Sequence, residues 1–221
     1  MKIRYYLGWF SNTFPEQLGR MIQKDITDRK SLVMISGNPL VDKEDGVAEL
    51  SWLAHEGIEF EEYHRINSQV QMEEANAMLQ NASVIFLLGG NTLEQNRFLV
   101  DYELADAIRK SEAVVLGASA GAINMSAKWL CSRNLGSEVE ESSVYEGVGL
   151  GDFSVLSHFD LENNMKMVRN ELSLLSEEMK IYASNKDCGI RVAVDRIDIF
   201  GDVYKVFQSK IQKLDETFRS K

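Results

Sequence analysis

Short, continuously apolar segments alternate with segments of helical periodicity along most of this 221-residue chain. Residues 31–36 (SLVMIS), 83–88 (SVIFLL) and 113–116 (AVVL) contain no regular alternation of polar and apolar side chains. Strands of this type are buried on both faces, which is typical of a parallel sheet covered by helices on each side. The pattern therefore predicts an α/β fold with a mostly parallel sheet and helices on both faces.

Other segments extend this prediction over the whole chain. Only two prolines and no Pro-, Gly- or Ser-rich linker occur, so we expect a single domain spanning residues 1–221 with a charged helical tail at about 209–221. Residues 131–150 are polar and predicted to be irregular. Further strands are predicted within residues 1–10 and at 58–63, 153–156, 180–183, 189–194 and 203–207, and helices at 42–55, 72–79, about 92–110 with a break near Val100, and 163–178.

Charge and composition limit the partners of the chain. Lys and Arg number 24 and Asp and Glu number 34, so the net charge of −10 argues against nucleic acid and anionic membranes as partners. No apolar stretch is long enough to span a membrane, and the N-terminal apolar run is too short for a signal sequence. Cys131 and Cys188 form neither a disulfide framework nor the usual zinc spacing. We expect a cytoplasmic protein without a metal site, and a homodimer is left open.

The segment 117–121 (Gly-Ala-Ser-Ala-Gly) joins the strand at 113–116 to a helix that begins near Ala122. This is the Gly-x-Ser-x-Gly pattern of a nucleophile elbow in its strand–turn–helix context. Bulky neighbours would clash in so sharp a turn, and all four flanking residues are Gly or Ala. The helix N-terminus also directs N–H groups at the serine oxygen. Ser119 is therefore the candidate nucleophile; the alternative is a glycine-rich turn that binds phosphate or only permits close packing.

A serine nucleophile needs a base, and His158 lies just after the apolar strand predicted at 153–156. Sites in α/β sheets form at the carboxyl ends of strands, which makes this position favourable. His55 near a helix end and His64 after a strand are more typical of surface residues. His158 is therefore the candidate general base.

Residues 89–92 (Gly-Gly-Asn-Thr) directly follow the strand at 83–88, which we expect beside the elbow strand. A Gly-Gly turn leaves a backbone N–H free to point into the site, where it pairs with the N–H of Ala120 to bind an oxyanion. Asn91 or Thr92 can cap the following helix, and Asn91 is also a candidate substrate-binding residue. A simple tight turn with Asn91 as the cap is compatible with the same sequence.

Three motifs occur in a fixed order: 89–92, then 117–122 (Gly-Ala-Ser-Ala-Gly-Ala), then 157–159 (Ser-His-Phe). Together they resemble the peptidase E and cyanophycinase family of serine peptidases, and the likeness runs from the first strand to about residue 206. The resemblance implies a flavodoxin-like fold similar to class I glutamine amidotransferases. It also implies Ser119 as nucleophile, His158 as base and the N–H groups of Gly90 and Ala120 as the oxyanion hole. The family often has Pro where this chain has Ser157.

The third member of the catalytic set differs from the active dipeptidases of the family. Those enzymes place Glu or Asp in a late loop, which here is residues 183–189 (ASNKDCG). The preferred alignment puts Asn185 at that position, and Asp187 is the alternative if the loop is shifted. This resembles a branch with a Ser-His-Asn set and no C-terminal hairpin. Because Asn orients a histidine ring without supplying a charge, we expect weak Asp-X dipeptidase activity.

Two functions of different classes are consistent with these residues. The first is a serine hydrolase that acts by acyl transfer on a small peptide or amide, with no metal or organic cofactor. The second is a catalytically weak or inactive binding or regulatory protein that retains the fold and the pocket. A nucleotide-binding flavodoxin-like domain would need an acidic ribose ligand after a glycine-rich first turn, which residues 8–12 (GWFSN) do not supply.

Overall fold

The structure is a computed structural model that describes residues 2–41, 45–133, 140–159, 170–194 and 196–214. Its helices in these ranges are α1 (Glu16–Asp25), α2 (Val47–His55), α3 (Met72–Asn81), α4 (Thr92–Asp101), α5 (Leu104–Lys110), α6 (Ala120–Asn124) and α7 (Leu172–Glu178). Its strands are β1 (Ile3–Leu7), β2 (Ser31–Ile35), β3 (Glu62–Ile66), β4 (Val84–Leu87), β5 (Val114–Ala118), β6 (Lys128–Cys131), β7 (Ser143–Glu146), β8 (Phe153–Leu156), β9 (Lys180–Ser184), β10 (Gly189–Ala193), β11 (Arg196–Phe200), β12 (Val203–Phe207) and β13 (Lys210–Leu214). No helix in the described ranges is both long and apolar enough to cross a membrane.

A seven-stranded sheet with the order β11-β10-β1-β5-β4-β2-β3 lies at the centre of the fold. The strands β1, β5, β4, β2 and β3 pair in parallel, and β10 and β11 extend the β1 side antiparallel. Every residue of β2 and β4 is buried, as expected for parallel strands covered on both faces. The predicted mostly parallel α/β sheet is confirmed.

Helices cover both faces of this sheet because successive strand residues point in opposite directions. In β2, Leu32 and Met34 pack in one apolar cluster with residues of α1 and α2. Val33 and Ile35 pack in the other cluster, with residues of α3, α4, α5 and α6. The sheet is thus the middle layer, and its carboxyl edge carries the turns after β1, β2, β4 and β5.

A second, four-stranded sheet was not expected from the sequence. Its order is β13-β12-β9-β8, with β8 and β9 parallel and the other pairs antiparallel. Leu156, Ile181 and Val206 of this sheet pack against Leu172 and Leu175 of α7 in a smaller apolar cluster. This sheet positions the end of β8, from which the His158 segment leaves.

The predicted helical tail is wrong in its described part, because Lys210–Leu214 forms strand β13. Gln208 and Ser209 have φ of 48° and 58°, the two positive values that a tight type I′ hairpin turn requires, and β13 therefore folds back on β12. The resemblance to the short family branch with a Ser-His-Asn set implied no C-terminal hairpin. The structure has one, formed by β12 and β13. Residues 215–221 of the predicted tail lie outside the described residues.

Two other predicted elements differ from the structure. Strand β3 forms at Glu62–Ile66, where it pairs with β2, rather than at 58–63. Ile58 and Phe60 are buried in the connection that precedes it, which explains their apolar character. The segment 131–150, predicted to be irregular, takes part in a two-stranded ribbon of β6 and β7, in which buried Trp129 stacks on Tyr145 at 4.9 Å.

The boundaries of three predicted helices also differ from those in the structure. The predicted helix 42–55 begins at Val47, and residues 42–44 lie outside the described residues. The predicted helix 163–178 is present as α7 from Leu172, while residues 160–169 are likewise outside them. The predicted break near Val100 occurs at Tyr102 and Glu103, between α4 and α5.

Candidate active site

Ser119 lies in the turn between β5 and α6, with φ of 46° and ψ of −105°. A side chain is rarely found in this region of backbone space, so the predicted positive φ and strain are confirmed. The Ser119 N–H donates to the Leu7 carbonyl at 2.9 Å, and its own carbonyl accepts from the Ile123 N–H at 3.0 Å. These two bonds anchor the turn to the neighbouring strand β1 and to the first turn of α6.

The elbow can form only because α6 approaches β4 very closely. A β-carbon on Gly121 would lie 2.0 Å from the backbone oxygen of Leu87. A side chain at position 121 would therefore push α6 away from the sheet and move the turn that carries Ser119. The predicted steric reason for small flanking residues is confirmed at this position.

His158 reaches Ser119 from the second sheet. The Ser119 Oγ and the His158 Nε2 are 2.9 Å apart, so the predicted proximity of the two side chains is confirmed. His158 follows β8 and has a φ of 58°. The next residue, Phe159, is buried, and its N–H donates to the Ser184 carbonyl of β9 at 2.8 Å. This bond and the buried Phe159 ring fix the segment that presents the imidazole.

The environment of His158 favours the neutral ring. Partial desolvation by the surrounding protein and, in addition, the positive charge of Lys186 lower the pKa of His158 below its usual value. A neutral imidazole can accept the proton of a serine hydroxyl at neutral pH. The same environment disfavours the imidazolium that forms when the proton is transferred.

The loop between β9 and β10 does not complete the predicted third contact. Within the described part of the chain, neither Asn185 nor Asp187 forms a side-chain hydrogen bond with His158, and Nδ1 of the ring has no partner. Both side chains are exposed. The Asn185 carbonyl instead accepts from the Cys188 thiol at 2.8 Å, and the Asp187 N–H donates to the Trp9 carbonyl at 3.2 Å. The orienting role of Asn185, or of Asp187, stays a prediction.

The two candidate oxyanion donors face no competing acceptor among the described residues. Ala120 is the first residue of α6, and the N–H of such a residue has no partner inside its own helix. Gly90 has a φ of 153°, and a β-carbon there would lie 2.5 Å from the Gly37 carbonyl oxygen. Only glycine fits this position, and both N–H groups remain available to a ligand.

Asn91 caps α4, as the sequence predicted. Its side-chain oxygen accepts from the N–H groups of Leu93 and Glu94, each at 3.1 Å. The carboxamide oxygen is thereby occupied, so a contact with substrate would have to come from the Nδ2 group of this exposed residue. The substrate-binding role of Asn91 stays a prediction.

Ser119 and His158 open into a cleft of about 640 Å³, a size suited to a small molecule or short peptide. Arg97 supplies the only Lys or Arg side chain in its described wall, and the sequence analysis missed it. Nothing in the sequence distinguished it from the other charged residues of the predicted helix at about 92–110. No group of three or more His, Cys, Asp and Glu side chains that could hold a metal occurs in the described ranges. The cleft is lined by Gly90, Asn91, Thr92, Leu93, Glu94, Arg97, Ser119, Ile123, Trp129, Leu130, Cys131, Ser132, Leu156, Ser157 and His158.

Comparisons with known proteins identify a family and a similar fold. The family model of peptidase family S51 matches residues 42–200. A peptidase from an acI-B1 Actinobacterium has a similar structure, with a TM-score of 0.69, 16% identity, and coverage of 99% of this chain and 96% of that one. A protein designated a candidate peptidase E, from Listeria monocytogenes EGD-e, has a TM-score of 0.62 and 16% identity over 97% and 100% of the two chains. At this identity the likeness concerns the fold alone. The comparison with curated proteins found no match.

Proposed function

The chain belongs to peptidase family S51, and from this premise we propose that it is a serine hydrolase acting by acyl transfer on a small peptide or amide. The observation that carries the proposal is the 2.9 Å distance between Ser119 Oγ and His158 Nε2. A hydroxyl on a strained elbow, in hydrogen-bond contact with an imidazole, is the arrangement that activates a serine as nucleophile.

The proposed reaction proceeds in two steps. The Ser119 Oγ attacks the substrate carbonyl carbon while His158 Nε2 takes the hydroxyl proton, and the N–H groups of Gly90 and Ala120 donate to the resulting oxyanion. Collapse of the tetrahedral intermediate breaks the C–N bond, and His158 returns the proton to the leaving amine. Water then attacks the acyl-enzyme by the same route and releases the acid product and free Ser119.

Arg97 indicates how a substrate would be oriented in the cleft. Its guanidinium has no ion-pair partner among the described residues, and the cleft lining also includes the apolar residues Ile123 and Leu156. A short peptide could direct a carboxylate to Arg97 and an apolar portion to these two residues. The amide to be cleaved would lie between them, at Ser119.

A second candidate function is a binding or regulatory protein with little catalysis. It is favoured by the surroundings of His158, whose Nδ1 has no acidic partner in the described part of the chain, while Lys186 opposes protonation. A triad without a negative charge loses much of its stabilisation of the imidazolium. The pocket would then bind peptides without cleaving them at a useful rate.

Covalent labelling of Ser119 separates these two functions. We expect a small activated ester to acylate the folded protein at a single site, which peptide mass spectrometry locates at Ser119. Ser68, an exposed serine in a turn, serves as the internal control and should stay unmodified. Protein unfolded in urea should lose the reaction, because the elbow and its base no longer meet. A folded protein that is not labelled at Ser119 would instead support the binding function.

Asp-X dipeptides should be turned over poorly or not at all by the same preparation. The reason is that no acidic side chain contacts His158 among the described residues. An amide leaving group demands more of the protonated imidazole than an activated ester does. Release of free aspartate, measured by amino-acid analysis against a no-enzyme blank, checks this expectation. Robust turnover would show that a true acid, such as Asp187, completes the set during catalysis.

A further inference from the structure

The peptide group that joins Leu88 to Gly89 is hydrogen-bonded at both ends by buried side chains. The Leu88 carbonyl accepts from Gln95 Nε2 at 3.0 Å, and the Gly89 N–H donates to Glu49 Oε1 at 2.9 Å. Gln95 is 0% exposed and Glu49 is 3% exposed. A carboxylate and a carboxamide buried at such depth require partners, and here the partners are the two ends of one backbone peptide.

The following peptide group contains the Gly90 N–H and has a defined direction. The Gly89 carbonyl oxygen lies against Gly37, since a β-carbon built on Gly37 would be 1.8 Å from it. This peptide is trans, so its N–H points opposite to its carbonyl and away from Gly37. Gly37 follows β2 and Ser119 follows β5, on opposite sides of β4. The Gly90 N–H therefore points to the side on which Ser119 lies.

Gln95 also connects this turn to the elbow helix. Its Oε1 accepts from Asn124 Nδ2 at 3.0 Å, and Asn124 is a fully buried residue of α6, the helix that begins directly after Ser119. Asn124 Nδ2 donates further to the Thr92 carbonyl at 3.0 Å, and Gln95 Nε2 donates to the Ser36 carbonyl at 3.1 Å. One buried amide pair thus joins the turns after β2, β4 and β5.

We propose that Glu49 and Gln95 are positioning residues that fix the direction of the Gly90 N–H relative to Ser119. The proposal rests on the acyl-transfer function proposed above. Two consecutive glycines have wide conformational freedom, so the turn does not determine its own orientation and must be fixed from outside. An oxyanion donor acts only within a few tenths of an ångström of its place, and a displacement of about 1 Å can lower a rate about 100-fold.

The test compares four variants in the acylation of Ser119 by a small activated ester. Gln95→Met and Glu49→Met remove the two contacts at similar volume, and we expect kcat to fall about 10- to 100-fold with KM nearly unchanged. Glu49→Gln keeps an oxygen acceptor for the Gly89 N–H and should recover most of kcat. Ser31→Ala is the control for loss of a buried hydrogen-bonding side chain. Ser31 is 7% exposed at the amino end of β2, and its Oγ donates to the Asn81 carbonyl at 3.1 Å and accepts from the Ser83 N–H at 3.2 Å, away from the glycine turn and the Gln95–Asn124 pair.

Ser31→Ala should lower Tm while leaving kcat near the wild-type value. An equal loss of kcat in Ser31→Ala, or unchanged kcat in both Met variants, would overturn the proposal. Crystal structures of the Met variants give a second readout that does not depend on activity, and there we expect the peptide between Gly89 and Gly90 to be rotated. Wild-type protein that is never acylated would contradict the proposed function, whereas an unrotated peptide in both Met variants would contradict the positioning roles.

Discussion

Ser119→Ala is expected to lower the turnover of a small activated ester by about 10⁴-fold or more, because the residual rate then comes only from binding and the oxyanion donors. No other hydroxyl in the described cleft wall has the same arrangement. Ser157 also lines the cleft, but its Oγ is buried and has no hydrogen-bond partner in the described ranges. Steady-state hydrolysis, with the amount of folded protein checked by circular dichroism, measures the loss.

Ser119→Cys is the matched variant, because it keeps the elbow and places a thiol beside His158. We expect iodoacetamide to modify this thiol faster than the buried Cys188, whose pKa burial raises to about 11. A rate for Ser119→Ala within about tenfold of the wild type would mean that another group carries the reaction. Equal reactivity of the thiols at positions 119 and 188 would mean that the elbow does not activate its residue.

The parallel part of the fold could be predicted because each strand carries its own signal. Residues 31–36 and 83–88 are apolar throughout and occupy β2 and β4, where helices cover both faces. The elbow was equally predictable, because the space between β4 and α6 admits only the smallest side chains near Ser119. In both cases the local sequence and the tertiary environment impose the same requirement.

The second sheet could not be predicted because its strands are short and their pairing is not local. Strand β8 pairs with β9 across the segment that contains α7, and nothing in the sequence of residues 153–156 identifies that partner. The hairpin of β12 and β13 depends on positive φ at Gln208 and Ser209, residues that are not among the usual signals for such a turn. Short amphipathic segments of this kind can be read as helix or strand.

The sequence indicated the residues expected to react, but it did not indicate the residues proposed to orient them. Gln95 occurs within an ordinary helical segment, and Glu49 has the sequence context of a surface position on α2. Their importance appears only when burial is known, since a buried amide and a buried carboxyl both need partners. The third catalytic group could not be predicted from the sequence either. A loop such as 183–189 has no periodicity that could fix its alignment.

His158→Gln is expected to slow acylation of Ser119 by about 10²- to 10⁴-fold. A glutamine side chain can still hydrogen-bond the Ser119 hydroxyl, yet it cannot take its proton, so the variant separates orientation from base catalysis. Pre-steady-state acylation by the same activated ester measures the effect on the chemical step directly. A loss of less than about tenfold would contradict the role of His158 as general base.

The pH dependence of acylation provides an independent test of the same residue. Only the neutral imidazole can accept a proton, so the rate should rise with pH and level off above the pKa of His158. Because desolvation and the charge of Lys186 lower that pKa, the midpoint of the wild-type profile should lie below the ordinary value of 6.5. Lys186→Met removes one of the two causes and should move the midpoint upward, whereas Lys210→Met, on the exposed strand β13, should leave it unchanged. A wild-type midpoint above 6.5 would contradict the lowered pKa of His158. A profile that persists in His158→Gln would show that a different group controls the reaction.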